Sequence, residues 1–88
     1  MQSRNKPAMR ASERRHVARI AALPCGVCGT EPVEVHEIEQ GSWFTSIPLC
    51  RDCHRGSFNG LHGQRRIWSA RKLTELAVLG STIERLTA

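Results

Sequence analysis

Apolar positions change their period several times along the chain. Between Ser12 and Ala21, Val17, Ile20 and Ala21 recur at i, i+3, i+4, while Arg14, Arg15 and Arg19 fall away from that face. This pattern predicts an amphipathic helix with Ser12 as its cap. Pro24 closes it, because the residue before a proline is kept out of the helical region. In "VEVHEI", Val33 and Val35 alternate with polar neighbours, which predicts a short strand. "QGS" is a turn signal, and "WFTSIPL" predicts a second strand running into Cys50, so the middle of the chain reads as a β-hairpin. "CRDCHRG" predicts a short helix that the glycine-rich "SFNGLHG" cannot continue. "QRRIWSARK" and "TELAVLGSTIERL" return to helical character. Thr74 is the cap of the last helix, and Leu76, Leu79, Ile83 and Leu86 form its apolar stripe. The opening "MQSRNKPAMR" is polar and broken by Pro7. The expectation is a mobile basic arm over residues 1–11 and one α+β domain over residues 12–88, a hairpin flanked by N- and C-terminal helices.

A chain of 88 residues supports a single small core, and cores of this size are marginal without a staple. Its four cysteines offer one: Cys25 and Cys28 form one Cys-x-x-Cys pair, Cys50 and Cys53 another, with 21 residues between the pairs. No apolar stretch follows the charges of "MQSRNKPAMRASERRH", and no run approaches the ~20 residues of a membrane span, so the expectation is a cytoplasmic protein. In a reducing compartment such pairs hold metal more often than they form disulfides. Tetrahedral Zn²⁺ takes four thiolates, and a two-residue gap lets one knuckle supply two of them. Gly26 and Gly29 are expected to supply the positive φ angles of a tight knuckle.

Charge sharpens the picture. The formal net charge is +5, divided as +5 over residues 1–20, −4 over 21–49 and +4 over 50–88. Two basic ends around an acidic middle suit a polyanion that meets a bound cation at the centre. The acidic stretch "VEVHEIEQG" also holds His36, while His54 directly follows the last cysteine and His62 lies eight residues further on. A zinc ion satisfied by four cysteines leaves these histidines over for a second site. Glu37, Glu39 and Asp52 add carboxylates, which suit a hard divalent ion such as Mg²⁺ or Mn²⁺. His16, on the basic helix, has no such neighbours and reads as a helix-surface residue.

Taken together, "CGVCG", "VHEI", "IPLCRDCH" and "GLHG" resemble the HNH (ββα-metal, His-Me finger) nuclease family, in particular its small phage recombination-enhancement members. The resemblance spans roughly residues 20 to 88. It implies a zinc-stapled ββα-metal finger in which hairpin and helix hold one catalytic ion, separate from the structural zinc. Position for position, it places His54 as the helix ligand and His62 as the later histidine of the metal shell. Where relatives read His-His-Ile, this chain reads His36-Glu37-Ile38, so one register makes His36 the ligand and Glu37 the water-activating base. The other makes His36 the base, with Glu37 or Glu39 assisting the metal. A carboxylate of ordinary pKa is a weaker base than imidazole near pH 7. Thr45 stands where the family's hairpin-tethering asparagine belongs.

Within that resemblance the basic residues gain a use. Arg51 and Arg55 flank the candidate site, and Arg65, Arg66, Arg71 and Lys72 follow it, all able to meet DNA phosphates without reading sequence. Arg4, Lys6, Arg10, Arg14 and Arg15 of the N-terminal region add non-specific grip. Trp43 and Trp68 are read as packing residues before base-stacking ones. The leading expectation is a metal-dependent DNA endonuclease of phage or prophage type with low sequence specificity. The alternatives are a catalytically inactive zinc-ribbon DNA-binding module, or a protein-interaction subunit of a recombination or packaging assembly.

Overall fold

The computed structural model describes residues 8–88; Arg4 and Lys6 of the expected arm lie outside the described residues. Helix α1 (Ala11–Ala21) is followed by strand β1 (Glu34–Glu37), strand β2 (Ser46–Leu49), and helices α2 (Arg51–Arg55), α3 (Arg66–Ala70) and α4 (Glu75–Thr87). The described residues form a small α+β structure of one two-stranded antiparallel sheet and four α-helices.

Helix α1 starts two residues earlier than a Ser12 cap would have it, and Arg10 is its N-cap. The Glu13 carboxylate accepts from the Arg10 backbone N–H at 2.7 Å and from its guanidinium at 3.2 Å. An acid at the third helical position thus reaches back to the chain before the helix, half of a capping box. Ile20 is fully buried, and the Arg19 guanidinium donates to the Leu86 carbonyl at 2.8 Å, near the carbonyl end of α4. His16 is not a plain surface residue. Its ring lies 4.9 Å from that of Phe44, and its Nε2 is buried with no hydrogen-bond partner among the described residues.

In the hairpin, Glu34 pairs with Leu49, Val35 with Pro48, His36 with Ile47, and Glu37 with Ser46. The second strand is shorter than expected, because Trp43–Thr45 forms a 3₁₀ turn. The Thr45 hydroxyl donates to the Ser42 carbonyl at 2.9 Å and that of Ser46 to the Trp43 carbonyl at 2.6 Å. Such short-range bonds compete with the sheet ladder. Thr45 also accepts, through its carbonyl, from the Ile38 N–H at 3.0 Å, so it ties the turn across the hairpin. All of β2 is buried, since α1, α2 and α4 all pack against it.

Helix α4 is capped as expected, with the Thr74 hydroxyl accepting from the Ala77 N–H at 3.0 Å. Its buried face is the expected stripe only in part: Leu79 packs against the core and Leu86 is half-buried. Val78 and Thr82 are each 1% exposed, whereas Leu76 is 74% and Ile83 40% exposed. Gly26 explains the rotation. A Cβ there would sit 2.5 Å from Val78 Cγ1, so the missing side chain lets α4 settle directly on the first knuckle. Gly26 is therefore present for room, while Gly29 does take the expected positive φ, at 81°. Trp68 is core, 1% exposed, its indole N–H donating to the Cys53 carbonyl at 2.9 Å. Helix α3 is shorter than its sequence suggests; Lys72, two residues beyond it, has a φ of 55° and turns the chain towards α4.

Two outcomes follow. Gly26→Ala should lower stability by about 1–3 kcal/mol through overpacking, and Val78→Ala in that background should recover part of the loss in thermal unfolding. Burial first, and Arg19 second, hold the His16 pKa below its ordinary 6.5. The folded state therefore favours the neutral ring. Its contribution is complete above about pH 6.5 and is lost as pH falls below that value, where the unfolded chain binds the proton first. The stability difference between the native chain and His16→Leu should shift against the native chain on going from pH 7.5 to 5.5.

Candidate metal centre

Two side-chain clusters with metal-ligand chemistry lie side by side. In the first, the Sγ atoms of Cys25, Cys28, Cys50 and Cys53 all lie within 4.8 Å of one another. All four cysteines are free of disulfides. The first knuckle forms because the Gly29 N–H donates to the Cys25 carbonyl at 2.9 Å, and the Val27 N–H points at Cys25 Sγ at 3.4 Å. The second forms at the start of α2, where Cys50 is the N-cap and its Sγ accepts from the Cys53 N–H at 3.4 Å. The first knuckle is tied to β2, two residues ahead of the second, by the Gly26 N–H, which donates to the Pro48 carbonyl at 2.9 Å.

The thiols are not equivalent. Burial raises the Cys28 pKa, but hydrogen bonds with Thr30, then Cys50 and Cys53, outweigh it and bring the value down to about 7. Burial pushes Cys50 and Cys53 upwards. Four sulfurs this close repel as thiolates, and a cation is what offsets that repulsion. The donor set and spacing are those of a closed structural metal site and are compatible with zinc.

The second cluster comprises His36 on β1, His54 on α2 and His62 in the loop after α2; one ring nitrogen of each lies within 4.8 Å of the others. Ring centroids are 5.0 Å apart for His36 and His54, 5.4 Å for His36 and His62, and 5.0 Å for His54 and His62. The loop reaches back because the Leu61 N–H donates to the Cys53 carbonyl at 2.8 Å and the His62 N–H to the His54 carbonyl at 3.2 Å. Its glycines make that approach possible. A Cβ on Gly60 or on Gly63 would lie 2.4 Å from the Gly56 carbonyl oxygen. "SFNGLHG" thus folds onto α2 as well as ending it.

The carboxylates at this cluster are not the expected ones. Glu37 Oε1 accepts from the Gly41 N–H at 2.7 Å and braces the turn, one residue along β1 from His36 and so on its other face. Asp52 accepts from the Asn59 side-chain amide at 3.0 Å, and Glu39 is exposed. Instead, Glu34 Oε1 lies 2.8 Å from His54 Nδ1, and Glu75 Oε2 lies 2.7 Å from His36 Nε2. Glu34 also accepts from Arg55, at 3.0 Å to Nε and through a second bond to the guanidinium. Arg55, then His54, holds the Glu34 carboxyl below the usual carboxylate range. A strand signal for Glu34 existed, since residues 34 and 36 share a face. Periodicity held none for Glu75, which lies 39 residues from His36.

The arginines divide. Arg55 is paired with Glu34, and the Arg71 guanidinium donates to the Val27 carbonyl at 2.8 Å, clamping α3 to the first knuckle. Arg51, Arg65, Arg66 and Lys72 are exposed, and Arg66 lies over the Phe58 ring at 5.0 Å. Arg51, Asp52, Arg55 and Gly56, on α2 and just after it, line an open hollow of about 340 Å³. Among the described residues, no helix is long and apolar enough to cross a membrane. No protein-family model, curated protein or solved structure matches this chain.

The four-cysteine site has a direct assay. Titration of the metal-free protein with Co²⁺ should show thiolate-to-metal charge transfer at one equivalent, together with a gain of folded structure by circular dichroism. Cys53→Ser should abolish both.

Proposed function

We propose that this chain is a metal-dependent DNA endonuclease of the HNH type, stapled by a structural Zn²⁺ on Cys25, Cys28, Cys50 and Cys53. The observation that carries the reading is the convergence of His36, His54 and His62 from a strand, a helix and a loop, with carboxylates behind two of them. Metal-bound histidines of this kind are oriented by such outer carboxylates. Histidine clusters also bind metal without catalysing anything, so the hydrolytic part of the reading rests on the resemblance of "VHEI", "IPLCRDCH" and "GLHG" to the family.

In this reading the three imidazoles hold a divalent ion, which when bound polarises the scissile phosphate and stabilises the departing oxygen. Three nitrogen donors suit a transition ion better than Mg²⁺, which asks for oxygen ligands, so Mn²⁺ is the better of the two expected ions. Glu34, shared between His54 and Arg55, keeps the α2 histidine in one orientation and sets Arg55 at the edge of the hollow. Exposed Arg51, Arg65, Arg66 and Lys72 grip the phosphodiester backbone, and that grip is independent of base sequence.

A second reading, a DNA-binding module without catalysis, is favoured by one observation: Glu37, a candidate base by register, is held at the turn by Gly41. A recombination or packaging partner belongs to either reading as a further proposal, and nothing in the fold selects one.

Cleavage of supercoiled plasmid and of single-stranded circular DNA separates the two readings. The nuclease reading expects nicking with Mn²⁺, less with Mg²⁺ and none with EDTA, and a loss of at least about 100-fold in His54→Ala, as for a residue of the reacting centre. A zinc-loaded, folded protein that binds DNA with strong salt dependence but never cuts it would support the binding module instead.

A further inference from the structure

Helix α4 follows its hydrophobic pattern only in part: Leu79 packs against the core and Leu86 is half-buried, but the other half of the stripe faces out. Its amphipathic sequence favours burying Leu76 and Ile83, yet these are 74% and 40% exposed, while Val78 and Thr82 are buried. Glu75 stands three residues before Val78 and seven before Thr82, on the same helical face. The orientation that seats Val78 over Gly26 therefore also turns Glu75 inward. Its carboxylate ends 2.7 Å from His36 Nε2, with the two side chains 32% and 12% exposed. Local conflicts between pattern and packing tend to mark functional positions.

We propose that Glu75 is a positioning residue of the three-histidine centre: it accepts the Nε2–H of His36, leaving the Nδ1 lone pair to face an ion. The inference rests on the reading of His36, His54 and His62 as a metal centre. Glu34 does the corresponding work on His54 through the opposite ring nitrogen, Nδ1, which leaves Nε2 as the donor. One carboxylate comes from the same strand as His36, and the other from the last helix of the chain. The site is thereby tied to the docking of α4, and an ion bound there stiffens the first turn of that helix.

The test uses the full chain with zinc already loaded on the cysteines and Mn²⁺ alone as probe. Uptake of Mn²⁺ is followed by the EPR signal of the free ion, and the ring tautomer of His36 by long-range ¹H–¹⁵N NMR before Mn²⁺ is added. In the native chain His36 should be the Nε2–H tautomer. Glu75→Ala should populate both tautomers and weaken Mn²⁺ binding by about 10–100-fold, the range typical of lost outer partners. Glu75→Gln, which keeps an acceptor oxygen but not the charge, should hold the tautomer and lose less affinity. Hydrogen exchange in the first turn of α4 should slow on Mn²⁺ addition in the native chain and not in Glu75→Ala.

Native-like Mn²⁺ affinity and an unchanged His36 tautomer in Glu75→Ala would overturn the role of Glu75 while leaving the metal centre standing. Failure of the native, zinc-loaded chain to take up Mn²⁺, with Ni²⁺ and Co²⁺ failing likewise, would overturn the centre and Glu75 together. If Glu75→Ala proves too unstable to measure, the comparison of Glu75→Gln with the native chain decides. Equal affinity and equal exchange in α4 would then count against the proposal.

Discussion

The approach of two cysteine knuckles governs the rest of this structure. Cys25, Cys50 and Cys53 belong to the same buried cluster as Val27, Ile47, Leu49, Leu61, Trp68 and Val78, so the sulfurs are part of the core. Both strands lie between the knuckles, α2 grows out of the second one, and α4 lies on the first. A core this small leaves little margin against the conformational entropy of the chain. A cation shared by four thiolates would supply that margin and would join segments more than twenty residues apart in sequence.

From that joint the histidine cluster is assembled by short, local steps. Cys53 and His54 are adjacent, so the knuckle that presents one sulfur to the first cluster presents an imidazole to the second. The backbone of the same two residues then captures the following loop at Leu61 and His62. His36 is delivered by the hairpin register, opposite Ile47 and two residues from Glu34. The first cluster is built of three buried thiols and the half-buried Cys28, and it reads as structural. The second is more open, with His62 exposed.

Charge follows the same division. From the acidic middle of the chain, Glu34 reaches His54 and Arg55, while Glu37 accepts from the Gly41 N–H at the turn. Two of the arginines that the family resemblance assigns to a nucleic-acid surface have internal duties, Arg55 towards Glu34 and Arg71 towards Val27. The exposed basic surface of this half of the chain is therefore narrower than the count of basic residues implies, and it includes Arg51, Arg65, Arg66 and Lys72.

What the sequence determined by itself was local. The knuckles, the hairpin and the Thr74 cap follow from spacing, turn residues and β alternation, interactions that span a few residues and so leave a pattern in the chain. The grouping of His36, His54 and His62 came from their place around that hairpin and from the family resemblance. The 3₁₀ turn at Trp43–Thr45 escaped because short-range hydroxyl bonds from Thr45 and Ser46 outcompeted a β-prone composition. Only the tertiary structure decided which face of α4 is buried and which carboxylates serve the histidines. Hydrophobic periodicity pointed to Leu76, Leu79, Ile83 and Leu86, of which Leu79 does pack on the core, but the absence of a side chain at Gly26 let Val78 approach and turned Glu75 towards His36. A vacancy at one residue and a contact 39 residues along the chain have no period, so no local pattern can carry them.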